Sequence, residues 1–151
     1  MKAPSLDASL MTMRVLWGAM TMSTLMFAGI EVHLRGAVAL PPPPPPTLSF
    51  ALTGAGAVVA VVSLALPRWL YAQAVATRGR PIEGAVTDAQ LIPRVPLFMT
   101  PFILSLALSE AVSLFGFVIG RTGGELPHAL ALMGAGTLLV LLRFPSRGAL
   151  A

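Results

Sequence analysis

Four apolar runs, each about as long as a lipid bilayer is thick, constrain this chain more than any other feature. They extend over Val15 to Leu34, Leu48 to Leu66, Leu97 to Ile119 and Leu126 to Leu142, and a helix needs about 20 residues to cross roughly 30 Å of hydrocarbon. Of 151 residues, 56% are hydrophobic and 11% charged, with a mean hydropathy of +0.82, beyond what an ordinary soluble domain carries. The chain therefore reads as an all-α integral membrane protein, a single membrane domain of four transmembrane helices at about 15–34, 48–66, 97–119 and 126–142. The last run is the shortest and has Pro127 and His128 in its first turn. Proline is tolerated there because the amide it lacks would be unpaired anyway.

Charge reports orientation. The net charge is +4, but the basic residues flank apolar runs and do not interleave with aromatics, so no nucleic-acid partner is expected. If all four runs cross, Lys2, Arg14, Arg68, Arg78, Arg80, Arg94, Arg143 and Arg147 share one side, opposite Arg35 and Arg121. Positively charged loops stay inside, so both termini are expected to be cytoplasmic. Trp17, Trp69 and Tyr71 then fall near the inner ends of their helices, as interfacial aromatics should. Residues 67–96 become a cytoplasmic loop, with a turn at Arg78-Gly79-Arg80-Pro81 and a short interfacial helix over Ala85 to Leu91. Pro41 to Pro46 is expected to be an external linker, a polyproline rod of about 19 Å. A competing reading takes Ala37-Val38-Ala39 as a signal-peptidase site, although Glu31 and Arg35 lie between the apolar run and that cut. The absence of cysteine excludes disulfides, thiolate metal sites and cysteine nucleophiles.

An internal repeat is faintly visible: Ala51-Leu52-Thr53-Gly54-Ala55-Gly56 recurs as Ala131-Leu132-Met133-Gly134-Ala135-Gly136, and Arg14-Val15 as Arg94-Val95. On that correspondence Ile30 stands where the other copy has Glu110. Helical spacing places Ser105, Ser109, Ser113, Gly116 and Gly120 on one stripe of the third run, and Ser49, Thr53, Gly56, Ala60 and Ser63 on one stripe of the second. Such stripes let membrane helices approach closely. The two are expected to face each other in a tight hairpin of the second and third helices, with packing as their main role.

Glu110 sits near the middle of the third run. A charged acid there costs at least about 2.5 to 3.5 kcal/mol, so an intramembrane Glu marks a candidate functional site. No basic residue lies at comparable depth, and the cheaper form in lipid is the neutral acid. Two readings stay open. Glu110 is a proton carrier, with Ser109 and Ser113 beside it, or a neutral side chain that hydrogen-bonds a serine and stiffens the bundle.

Phe102-Ile103-Leu104-Ser105-Leu106-Ala107-Leu108-Ser109-Glu110-Ala111, followed by Leu114-Phe115-Gly116-Phe117-Val118, resembles the carboxylate helix of the ATP synthase c subunit, the proteolipid of the rotary ring. Gly54-Ala55-Gly56-Ala57 is similar to that family's glycine-rich first helix, and Arg78 and Arg80 to its cytoplasmic loop. The resemblance covers the second and third runs. It implies a proton-binding proteolipid, oligomeric in the bilayer, with Glu110 as the proton site. Sodium-type rings add a Gln on the first helix and a hydroxyl residue after the carboxylate; here Ala111 follows Glu110, so the implied ion is the proton. The longer loop and the extra helices depart from the family's pattern.

Other chemistry is sparse. Glu31 and Arg35 form an i,i+4 pair that, with His33, reads as solvated interface. Glu125 and His128 do not add up to a metal site, and no phosphate loop, dinucleotide fingerprint or hydrolase motif occurs. No enzyme activity and no cofactor are expected. The functional expectations are a c-like proton-binding proteolipid, a structural or assembly membrane protein, or a small transporter or channel subunit. Its partners would be the bilayer and a homo-oligomer or membrane-protein complex, in the bacterial inner (cytoplasmic) membrane.

Overall fold

The structure, a computed structural model, describes residues 5–39, 41–78 and 87–150. Its helices are α1 (Leu6–Ala37), α2 (Pro46–Arg78), the single turn α3 (Asp88–Leu91), α4 (Val95–Arg121) and α5 (Leu126–Leu141). A 3-10 turn at Ile92–Arg94 joins α3 to α4. Among the described residues there is no strand. The chain is an all-α membrane protein of four main helices, three of them long and apolar enough to span a bilayer. The fourth, α5, has 16 residues and rises only about 24 Å.

α1 and α2 are longer than their apolar runs, and packing explains the first case. Leu6, Leu10, Met13, Thr24 and Glu31 are buried along α1, and Trp17, Met20 and Phe27 pack against the same clusters. These positions alternate in steps of four and three, the seam of a helix pair wound at about 3.5 residues per turn. The seam starts at Leu6, so the helix does too, capped by the Ser5 hydroxyl accepting from the Ala8 amide at 3.3 Å.

α2 continues through Pro67 to Arg78, so the first part of the expected cytoplasmic loop is helix. Proline removes one backbone donor, and the carbonyl four residues back loses its partner. That carbonyl belongs to Ser63, and the Arg143 guanidinium donates to it. A repaired carbonyl removes the reason to end the helix. Positions 79–81 of the expected turn and 85–86 of the expected interfacial helix lie outside the described residues; the described remainder of that helix is α3, whose Thr87 and Gln90 form a capping box.

α4 is the central helix. Within the most apolar window of each span, 44% of its residues are buried, against 11% for α1 and for α2. Its serine and glycine stripe faces α5, which corrects the expectation that it meets α2. A methyl on Gly116 would lie 2.6 Å from the Ala129 carbonyl oxygen and 2.8 Å from the Met133 amide nitrogen. Gly136 of α5 packs on Ser109 and Ser113, and the Ser113 hydroxyl donates to the Met133 carbonyl at 3.1 Å. Gly120, at the end of the stripe, is covered by Glu31 of α1. Gly56 of α2 meets Phe115 of α4 and Leu132 of α5, not Gly116. The reason is loop length: the short turn after Arg121, with Gly123 at φ 85°, returns α5 directly onto the nearest smooth face of α4. The two copies of the sequence repeat are used alike. Gly56 and Gly136 are buried against α4, while Gly54 and Gly134 open onto empty space.

The end of the bundle that holds the starts of α1 and α4 has its own core. Leu6, Leu10 and Met13 meet Leu91, Phe102, Leu106, Val140 and Leu150 there. Arg147 bridges Asp7 at 3.0 Å and Asp88 at 3.2 Å across exposed ground, pairs that add little stability.

Candidate functional site: a half-buried carboxylate at the α1–α4 seam

α4 leaves one strip uncovered. Ile103, Ala107, Leu114 and Val118 are exposed along it, and at 100° per residue Glu110 falls at one edge of that strip, on the side towards α1. The carboxylate is half-buried, shielded on one side by α1. Along the helix axis it stands about 16 Å from Arg121 at 1.5 Å per residue, well inside the apolar layer.

Its partner is Ser23. The Ser23 hydroxyl donates to Glu110 Oε1 at 2.6 Å across the α1–α4 seam, a short bond of the kind a carboxyl oxygen makes. Ser109 and Ser113, expected beside the carboxylate, are not its partners. Both are buried, and their hydroxyls donate to the Ser105 and Met133 carbonyls, at 2.7 and 3.1 Å. Ser105 likewise donates to Phe102 at 2.7 Å. The serine stripe is thus spent on backbone carbonyls and on close approach to α5, while the lone hydroxyl that matters to Glu110 comes from a helix 87 positions away.

On α2, Ser49 and Ala60 are half-buried. The Ser49 carbonyl accepts from Thr53 at 2.7 Å, and the Thr53 hydroxyl lies 2.8 Å from His128 Nε2. This contact ties α2 to the first turn of α5.

Towards the C-terminal ends of α1 and α4 the structure places a second carboxylate where solvated interface was expected. Glu31 is fully buried, because its seam position points at Gly120. A methyl on Gly120 would come within 2.5 Å of its carboxyl carbon. Arg35 Nε donates to Glu31 Oε1 at 2.8 Å, and the same guanidinium donates to the Gly120 and Gly124 carbonyls. The Gly120 carbonyl is in the last turn of α4 and Gly124 follows in the connecting turn, and a cation there meets the negative end of the helix dipole. The signal was available in the chain: Glu31 continues the four-three spacing of Leu10, Met13, Trp17, Met20, Thr24 and Phe27. Between the two carboxylates the seam is filled by Phe27 and Phe117, whose ring centroids are 5.6 Å apart. Glu110 and Glu31 are therefore separate sites, one facing the bilayer and one locked into the fold.

Chemically, Glu110 offers one oxygen held by a hydroxyl and a strip of approach along α4. Such a group can take and release a proton without breaking a salt bridge. Comparison with known protein families, with curated proteins and with solved structures yields no match, so the reading of this membrane protein rests on its own residues.

Proposed function

We propose that this chain is a proton-binding membrane protein in which Glu110 is the proton site and Ser23 holds its carboxyl group in place. The observation that carries the reading is a mid-helix carboxyl at the edge of the uncovered strip of α4, bonded to a hydroxyl and to no cation among the described residues. In lipid the neutral acid is the favoured form, because an isolated charge there is expensive. When a positive group of a neighbouring subunit or a file of water reaches the strip, the carboxylate becomes affordable and the proton leaves. Ser23 serves both states, since a hydroxyl donates to a carboxylate and accepts from an acid. The similarity of residues 102–118 to the c-subunit carboxylate helix supports the same chemistry, and it extends the proposal to an oligomer in a bacterial inner membrane with both termini cytoplasmic.

The Ser23 bond also favours a second reading, in which Glu110 only fastens α1 to α4. Carbodiimide labelling of the protein in membranes separates the two. A hydrophobic carbodiimide is expected to modify Glu110, less as pH rises, and not at all in Glu110→Gln. Gln keeps the shape and accepts from Ser23 but releases no proton. With intact assembly and lost proton flux in Glu110→Gln the carrier reading stands. Unchanged flux, or no labelling at any pH, overturns it.

A further inference from the structure

The bundle end that holds the basic residues contains a cleft of about 330 Å³ between α2, the start of α4 and the chain after α5. One wall is aromatic: Tyr71 stands edge-on to Phe98 at 5.3 Å, and Phe98 stacks on Phe102 at 5.6 Å. The mouth carries Arg68 and Arg143. Neither has a carboxylate partner among the described residues, whose ion pairs engage Arg35 and Arg147. Arg68 makes no hydrogen bond there either. Arg143 commits part of its guanidinium to the Ser63 carbonyl, and the rest remains. Burial, and secondarily the charge of Arg68, pull the Arg143 pKa below its ordinary value. Two like charges share one opening.

The remaining polar groups are satisfied within the fold. The Tyr71 hydroxyl donates to the Leu150 carbonyl at 2.7 Å and Ser105 to Phe102 at 2.7 Å. A ligand therefore meets two cationic forks at the rim and an apolar, aromatic wall behind them. The volume is at the small end of ligand pockets, about 300 to 1,000 Å³, and matches roughly ten waters. Guanidinium forks fit phosphate oxygens bidentately. The cleft opens where a helix bundle meets the headgroup layer, so the phosphate at hand is a lipid's, and basic pockets between membrane helices suit anionic headgroups.

We propose that this cleft binds the phosphate of an anionic phospholipid between Arg68 and Arg143, with the glycerol and upper acyl carbons against Phe98, Phe102 and Leu142. The lipid would neutralise two arginines that the fold leaves uncompensated. It would also fill the opening between α2, the start of α4 and the chain after α5.

Native mass spectrometry of the intact protein, titrated with phosphatidylglycerol or with phosphatidylcholine of the same acyl chains, tests this. One phosphatidylglycerol is expected to bind roughly tenfold or more tighter than phosphatidylcholine. Arg68→Gln, at an exposed side chain without a structural bond, is expected to bring the two within about twofold at unchanged melting temperature, and Arg68→Lys to restore most of the preference. Arg78→Gln, at the end of α2, is expected to leave the preference in place. Equal binding of both lipids by the native protein, a preference that survives Arg68→Gln, or an equal loss in Arg78→Gln overturns the proposal. Inorganic phosphate that binds alone and displaces the lipid at millimolar concentration would assign the cleft to free phosphate, and would overturn the lipid assignment.

Discussion

Arg143 donates to the Ser63 carbonyl, the one whose helical partner Pro67 cannot supply. A residue after α5 thereby repairs a proline break in α2, and the break occurs where water is scarce. Elsewhere side chains also reach carbonyls of other elements: Trp17 Nε1 donates to the Val140 carbonyl near the end of α5 at 2.8 Å, and Arg35 to the Gly120 and Gly124 carbonyls at and after the end of α4. In lipid an orphaned carbonyl has no solvent to turn to, so at Ser63 a long polar side chain from outside α2 does the work of water.

The repair predicts coupling. Arg143→Gln alone is expected to destabilise the bundle by about 1 to 3 kcal/mol, the cost of an unsatisfied buried acceptor. In a Pro67→Ala background the amide returns and the same change is expected to cost much less. A double-mutant cycle in reversible detergent unfolding measures the difference, and strict additivity would show that the guanidinium does not serve the proline gap.

Glycines separate by what stands behind them. Gly116→Ala and Gly136→Ala push a methyl into the backbone of the partner helix and are expected to cost about 1 to 3 kcal/mol. Gly54→Ala and Gly134→Ala meet open space and are expected to be neutral or to gain up to about 1 kcal/mol of helix propensity. Thermal unfolding of the four variants checks the order.

At the far end of the seam, Arg35→Leu is expected to cost roughly 3 to 5 kcal/mol, since it strands the buried Glu31 and uncovers the end of α4. The pair Glu31→Leu with Arg35→Leu is expected to cost less than Arg35→Leu alone. A larger loss in the double variant would mean that the ion pair itself, and not the avoidance of an unpaired charge, holds α1 to α4.

Topology is open to direct measurement because the chain has no cysteine. Single variants Pro43→Cys and Thr77→Cys are expected to react with an impermeant maleimide from opposite sides of the membrane, Thr77→Cys from the cytoplasmic side. Labelling of both from one side would remove the crossing of α2 and the inside placement of the termini with it.

Much of the architecture was legible in the chain, because the bilayer is a uniform solvent and imposes a one-dimensional rule. Apolar length makes helices, and Glu110 stands out by its cost before any neighbour is known. Helix extents were less legible. Pro67 reads as a stop until Arg143, 76 positions on, is seen to stand in for its amide. Partner choice was not legible either, since a stripe of Ser105, Ser109, Ser113, Gly116 and Gly120 states that something packs closely and not what. Only the tertiary structure decided that α5 and Glu31 fill it, and that Ser23 answers Glu110. The physical reason is that periodicity along one helix specifies a face, whereas contacts are set by how that face meets residues remote in sequence.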